Sequence, residues 1–453
     1  MREMKDSGIA WMNNIPEDWN NETIRHLMVG RDGGAWGEEP EEDEKGTICL
    51  RIADFDFSKG RFKICVEEDL TRRIYTTAQI ERLSLKKGDI LIEKSGGGEK
   101  TPVGRAVYYD GQYGSVLFAN FMERLRFDTQ KIDPEFMEYW LRAWYACRCS
   151  PYYINQTTGI QNINLSLMIA KERVYFPKLE EQISIVSFLD ARCKEIDSIV
   201  ADLQSQLDTL EQYKRSVITE TVTKGLNPEA QMKQSGVEWI GEVPSNWNLC
   251  PFGYVLQERN EKNNPVKTDE RLSLSIDKGI TLYAEKTTNL DRYKDDVSQY
   301  KLAHKGDFVM NSMNMIVGAF DVSPYFGCVS PAYYTFYDET EDHIKARFCN
   351  YFFKMKPMMK LLFSMGKGIM AIDRGDDRVN TCRLKVSRYD LSNIPVCSPP
   401  LSEQRDIVDY LDTKIAEIEE ISEIKETQIE TLEEYKNSII YEYVTGKKEV
   451  PVA

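Results

Sequence analysis

The chain has 453 residues and a net charge of −15, with 42% hydrophobic and 29% charged side chains. That length and apolar content suit two or more folded domains. A membrane span is excluded because no apolar run approaches the ~18 residues required.

The first residues, Met1-Arg2-Glu3-Met4-Lys5-Asp6, lack the apolar core of a signal peptide, so a cytoplasmic place is expected. Ten cysteines contain no Cys-x-x-Cys pair, and His26, His304 and His343 lie far apart. Free thiols and no metal site are expected.

Taken in order, most of the chain occurs twice. Met4-Lys5-Asp6-Ser7-Gly8-Ile9-Ala10-Trp11 leads to Pro16 and Trp19, and 228 positions later Met232-Lys233-Gln234-Ser235-Gly236-Val237-Glu238-Trp239 leads to Pro244 and Trp247. Turn residues and paired tryptophans predict a clasp over the start of each globular unit.

The first unit runs to residue 176. Thr47 to Ile52, Gly88 to Ile92, Gly104 to Tyr109 and Arg124 to Phe127 read as strands, and Pro134 to Arg148 as a helix with Phe136, Met137, Trp140, Leu141 and Trp144 on its apolar face. Helices and strands are segregated more than alternated, which is an α+β pattern. Between the second and third strands lies a glycine-rich loop carrying Lys94, Ser95, Gly97, Lys100 and Thr101, followed by Arg105. No Gly-Lys-Ser/Thr closes it, so it is not a phosphate-binding P-loop. Its cations and hydroxyls suit a nucleic-acid backbone or base edges, and the same composition fits an ordinary flexible hairpin. A second polar loop offers Gln156, Thr157, Thr158, Gln161 and Asn162, whose amides suit two-point contact to adenine.

Residues 177–226 read as one long helix. Val186, Leu189, Cys193, Ile196, Val200, Leu203, Leu207, Leu210 and Val217 recur in steps of three and four, a coiled-coil seam. Residues 227–398 repeat the first unit with other loops. Lys305-Gly306-Asp307 answers Lys87-Gly88-Asp89, and Asn311, Ser312, Met313 and Asn314 stand where the glycines stood. A helix from Phe348 to Phe363 is predicted, and Lys367, Arg374 and Arg378 supply basic character beyond it. The long helix then returns over residues 399–453, shifted by 222 positions: Gln182 recurs as Gln404, Leu189-Asp190 as Leu411-Asp412, Tyr213-Lys214 as Tyr435-Lys436. Ser422 and Lys425 interrupt its seam. Gly225 and Gly446 allow a left-handed stop. Two related helices on one chain predict an intramolecular antiparallel pair with pseudo-twofold symmetry.

The net charge argues against nucleic acid until it is located. Residues 177–226 carry six basic and nine acidic side chains and residues 399–446 four and thirteen, so the helices hold −12 of the −15. The run Glu38 to Glu44 holds six more acids, which leaves the other segments slightly positive.

With these residues in view, the chain resembles the specificity subunit of Type I restriction-modification systems over nearly its whole length. The resemblance is carried by the Ser7-Gly8-to-Trp19 and Ser235-Gly236-to-Trp247 openings, the helix starts Leu179-Glu180-Glu181-Gln182 and Leu401-Ser402-Glu403-Gln404, Tyr213-Lys214-Arg215-Ser216, Val222-Thr223-Lys224-Gly225, and Val329-Ser330-Pro331-Ala332-Tyr333. It implies two target-recognition domains, each reading half of a bipartite double-stranded DNA sequence, joined by two conserved helices. It also implies two methyltransferase subunits that supply S-adenosylmethionine and base flipping, and an endonuclease/translocase subunit that uses ATP and Mg. This chain would then carry no cofactor and no catalytic residue of its own, in keeping with its lack of Gly-x-Gly-x-x-Gly and Asn-Pro-Pro-Tyr. Ile199, Ile218, Ile421 and Ile424 exceed one seam, and with Tyr213 and Tyr435 they are the expected partner contacts. The acidic run at 38–44 departs from a DNA-binding surface and is expected to face away from DNA. The competing reading is a coiled-coil scaffold that binds proteins only.

If the helices set the distance between recognition domains, four residues inserted after Thr219 should lengthen the first helix by ~6 Å and turn it by ~400°. With DNA rising ~3.4 Å per base pair, the unread spacer should grow by one or two pairs while both half-sites keep their sequences. Two inserted residues, turning the helix by ~200°, should abolish activity. Methylation mapping checks both.

Overall fold

In each half of the chain the Lys-Gly-Asp turn is closed by its own aspartate. In the computed structural model, which describes residues 2–41, 44–63, 67–156, 160–286, 296–340, 342–369 and 383–451, Asp89 accepts the Lys86 N–H at 2.7 Å and Asp307 accepts the His304 N–H at 2.8 Å. Each carboxylate then takes an arginine at two points: Arg126 on Asp89 at 2.6 and 2.7 Å, and Arg259 on Asp307 at 2.6 and 3.0 Å. A carboxylate this buried is tolerable only with such partners.

These turns open the central strands of two compact units, Met1–Leu203 with Glu426–Ala453, and Gln204–Lys425. In the first unit β1 (Met28–Gly33), β2 (Ile90–Glu93), β3 (Ala106–Tyr108) and β4 (Met122–Phe127) form an antiparallel sheet in the order β3-β2-β4-β1. Helix α1 (Pro134–Ala146) starts at Asp133, whose side chain accepts the N–H groups of Glu135 and Phe136. It buries Phe136, Met137, Trp140, Leu141 and Trp144. The opening segment clasps it, with Trp11 edge-on to Trp140 at 5.4 Å and Trp19 to Phe136 at 6.4 Å. A smaller sheet sets Thr47–Leu50 between Arg72–Arg73 and a parallel Val116–Phe118, over its own apolar cluster.

The long helix α2 (Leu179–Lys224) begins in the first unit. Gln182, fully buried, donates to the carbonyls of Pro177 and Lys131 and accepts the Asp133 N–H, so it ties the start of α2 to the start of α1.

The second unit repeats the sheet. Strands β5 (Gln257–Glu258), β6 (Phe308–Asn311), β7 (Phe320–Val322) and β8 (Tyr333–Tyr337) stand in the order β7-β6-β8-β5. The predicted single helix Phe348 to Phe363 is two, α3 (Ile344–Lys354) and α4 (Lys356–Met365), parted by an extended Met355. Pro357 is the reason, since it has no N–H to donate to the carbonyl four residues back. Helix α5 (Leu401–Val444) runs unbroken through Ser422 and Lys425. Gln404 donates to the Pro399 carbonyl as Gln182 does to Pro177. Gly225 and Gly446 end α2 and α5 with φ of +73° and +68°, and each lies against the tryptophan of an opening segment, Trp247 and Trp19.

Within each unit the two long helices run antiparallel. In the first, Phe188 meets Tyr443 and Lys436 pairs with Asp197 at 2.7 Å. In the second, Gln206 accepts from Lys425 and Lys214 pairs with Glu419 at 2.6 Å. Tyr139 donates to Asp190 at 2.7 Å and Tyr351 to Asp412 at 2.5 Å, another contact made twice.

One charge in α1 is under tension. Glu138 is fully buried, with Arg61 at 3.2 Å and Arg142 at 3.7 Å. Burial pushes its carboxyl up from 4.5 to about 7, against the pull of Arg142 and Arg61. A folded value above the unfolded one means that the protonated form is favoured by folding. Its contribution is therefore complete below pH 4.5 and is lost as pH rises to about 7. Across that window the Glu138→Gln variant should lack a pH-dependent loss on the order of 3 kcal/mol that the parent shows, as measured by urea melts at stepped pH.

Candidate nucleic-acid interface

The glycine-rich loop and the amide loop, far apart in sequence, form one surface in the first unit. Ser95–Gly96 pairs with Gln161–Asn162, and that strand pairs in turn with Ile154–Gln156. Ser95 Oγ donates to Asn162 Oδ1 at 2.6 Å, and the Ile163 N–H reaches the Lys94 carbonyl at 3.0 Å. The ammonium of Lys94 stands over the end of β1, where a Cβ added to Gly33 would meet it at 3.9 Å. Beside it Arg31 pairs with Glu123 and donates to Ser166 at 3.1 Å.

Several sequence candidates have other duties. Gln161 is 7% exposed, and its oxygen accepts the Val103 N–H at 3.2 Å, so it fixes the loop from beneath. Gly97 allows the turn, since a Cβ there would lie 2.6 Å from the Val103 nitrogen. Arg105 spends its guanidinium on buried Glu93 at 2.6 and 2.8 Å and stacks on Phe57. It is part of a neutral pair, not a spare cation. With Lys100 and Thr101 it lines a separate cleft of about 530 Å³, which also takes Arg142, Arg148, Glu433 and Lys436. Thr157 and Thr158, and the side chain of Gln156, lie outside the described residues.

The second unit has the same junction with other side chains. Lys367–Ile369 and Arg383–Lys385 form its hairpin, and the Val386 N–H reaches the Ser312 carbonyl at 3.2 Å as Ile163 reaches Lys94. Ser312 is fully buried, so it supports the loop and does not face outward as expected. Asn311 is half-buried, accepting the Met313 N–H at 3.1 Å and donating to the Tyr333 hydroxyl at 3.4 Å. Met313 and Asn314 are exposed, as is Lys367, whose ammonium lies 3.6 Å from Asp390. Arg374 and Arg378 lie outside the described residues.

Sequence reading passed over Lys301, Lys385 and Arg388. Lys385 occupies the place of Asn162, one residue before the shared hairpin-to-loop bond, and Arg388 pairs with Glu258. Lys301 donates to the Tyr333 carbonyl at 3.0 Å, and its ammonium falls below the ordinary lysine range through burial first and then through Arg388 and Lys385 nearby, with Glu258 opposing. No periodicity marks these three. The only signal was that they flank the segments already singled out.

On the helices, Ile199, Tyr213, Ile421, Ile424 and Tyr435 are exposed, between 44% and 57%. Ile218 is not: at 5% it packs in the second unit's core with Val217 and Val222, so it cannot meet a partner as expected. A second cleft, of about 740 Å³, takes Glu211 and Lys214 together with Arg347 and Lys354. Its helix residues lie 222 positions before the Glu433 and Lys436 of the first cleft. Among the described residues no group of three or more His, Cys, Asp or Glu is placed to hold a metal ion, and no helix is long and apolar enough to cross a membrane.

Residues 58–208 match the family model of the Type I restriction modification DNA specificity domain. Over 442 residues the chain is 24% identical to a protein of Methanocaldococcus jannaschii assigned by inference as the type I restriction enzyme MjaX specificity subunit, covering 96% of this chain and 94% of that one. A solved chain from work on complex assembly and conformational transition of the type I R-M system superposes with a TM-score of 0.63 at 13% identity, over 96% of this chain and 99% of that one. The HsdS subunit of Thermoanaerobacter tengcongensis gives a TM-score of 0.48 at 14% identity, over 96% and 98%. The mixed α and β fold is thus shared with a solved type I chain, and the chain is similar along nearly its full length to a type I restriction enzyme specificity subunit, with residues 58–208 matching the DNA specificity domain.

Proposed function

We propose that this chain is the non-catalytic cytoplasmic subunit that reads a bipartite double-stranded DNA target and recruits the enzymes that act on it. One observation carries the reading: a single scaffold, built twice, holds its loop-to-hairpin junction by the same backbone bond while presenting Lys94, Ser95 and Asn162 in one unit and Met313, Asn314 and Lys385 in the other. A protein that must recognise two different half-sites needs this combination of constant frame and variable face. Amide and hydroxyl groups suit base edges, and lysines suit phosphates.

In this reading the two units are target-recognition domains, joined by α2 and α5 as an antiparallel coiled coil. Two methyltransferase subunits dock on the chain, bringing S-adenosylmethionine, and endonuclease/translocase subunits bring ATP and Mg. Two features support two copies of one partner: the five exposed apolar and tyrosine side chains on the helices, and the two clefts whose Glu-x-x-Lys residues repeat at the same offset. Side chains of that size left in water on a helix are a partner surface in the making.

With the complex reconstituted, duplex binding should weaken steeply as salt rises, which a protein-only scaffold would not show. Asn162→Ala should cost ~1–3 kcal/mol and relax one position of one half-site, whereas Lys94→Ala should weaken all sequences alike. Asn314→Ala should act only on the other half-site. Methylation mapping of the three variants decides: identical patterns throughout would remove these residues from the interface. Separately, Ile421→Glu with Ile424→Glu should abolish methyltransferase association in size-exclusion chromatography while leaving the helical circular dichroism of the chain unchanged.

A further inference from the structure

The turn entering β4 carries an exposed aromatic ring on a backbone that is fixed from several sides. The Phe121 carbonyl accepts the N–H groups of Lys94 at 2.8 Å and Ser95 at 3.2 Å, so the turn and the glycine-rich loop hold one another. Behind it the Gly34 N–H reaches the Met122 carbonyl at 3.1 Å and the Ala35 N–H the Phe118 carbonyl at 3.0 Å. The approach is close enough that a Cβ on Gly34 would lie 2.2 Å from the Ala119 oxygen. Phe118 and Met122, on either side, are fully buried, yet the ring of Phe121 is left 49% exposed.

The fold does not require that ring. Met122 stands opposite Glu93 in the first sheet and Tyr333 opposite Asn311 in the second, so the position answering Phe121 is Ala332. The same turn closes there with a single methyl group. What Phe121 adds is apolar surface beside Lys94 and the Ser95–Asn162 pair.

At the major-groove edge of DNA the bases offer donors, acceptors and one apolar group, the 5-methyl of thymine. Resting on the reading of this chain as a DNA reader, we propose that Phe121 is a specificity-determining residue, contacting a thymine methyl in the half-site of the first unit. The answering turn of the second unit offers only the methyl group of Ala332.

The test replaces each thymine of the mapped target, one at a time, with deoxyuridine, which removes only the methyl group. Binding is measured for the complete complex carrying the parent chain, Phe121→Ala or Phe121→Leu. At one thymine of the first unit's half-site the replacement should weaken the parent complex by about tenfold, have no effect on Phe121→Ala, and give an intermediate loss with Phe121→Leu. The other half-site should respond alike in all three. Equal losses in the parent and Phe121→Ala, or a parent complex indifferent to every thymine methyl of that half-site, would overturn the proposal. Ser95→Ala and Asn162→Ala on the same duplexes separate the two levels. If they alter selectivity while Phe121→Ala does not, only the role of Phe121 fails; if none of the three variants alters it, the loop cluster is not the interface and both readings fall.

Discussion

An apolar seam on a lone helix has nothing to bury against, and that constraint governs both long helices. Their ends solve it by sinking into globular cores. In the first unit Ile185, Val186 and Leu189 join Trp140 and Trp144, together with Ile439, Ile440 and Val444 of α5. In the second, Val217, Ile218 and Val222 join Phe348 and Phe352, together with Ile407, Val408 and Leu411. Between these anchors the seam thins: Val200, Leu203, Leu207 and Leu210 are only partly buried. There the polar positions of α5 are tolerated, because Ser422 can bond the Ile418 carbonyl and Lys425 can reach Gln206 without being sealed from water. The helices owe their persistence to their ends.

The same division between anchoring and display runs through the sheets. Both units keep the aspartate that closes the turn before the central strand, and both give it an arginine, but the arginine comes from different strands. Arg126 ends β4, where it faces Gly30 across the ladder, while Arg259 follows β5 and bonds to Thr335. The two units thus make one ion pair with arginines from different strands. A buried carboxylate tolerates such an exchange because it needs a guanidinium at the right distance, not one from a particular place in the chain.

This explains what could be read from the sequence and what could not. The duplication was legible because helix starts and stops use few residue types: a glutamine that reaches back to a proline carbonyl, a glycine at a left-handed stop. The break at Pro357 was equally visible as local chemistry and was passed over in favour of apolar periodicity. Along the loops, residue type suggested polar contact but could not tell which side of the loop would face inward. Ser312 and Gln161 read as surface groups and serve as internal struts, since their burial depends on segments far away in the chain, Val386 for Ser312 and Val103 for Gln161. Arg105 read as a spare cation because its partner Glu93 meets it only through the β2–β3 hairpin. Ile218 and Ile199 look alike in sequence; the first packs in a core near the end of α2 and the second, near the middle of the helix, faces solvent.

The second unit is one continuous piece, Gln204–Lys425, whereas the first is assembled from Met1–Leu203 and Glu426–Ala453. Tyr441 donates to the Trp11 carbonyl at 2.9 Å and Lys447 to that of Asn14 at 3.0 Å, so the opening clasp is finished by the last turns of α5. On the ribosome, where domains fold as units as they emerge, the second unit has all its parts before the first does. The first-made segment must wait, with its core lacking the part that α5 supplies, Ile439, Ile440 and Val444, until more than two hundred further residues have been synthesised. Birth order and completion order are therefore reversed in this chain, and the half made first is the one most exposed to chaperones and proteases while translation proceeds.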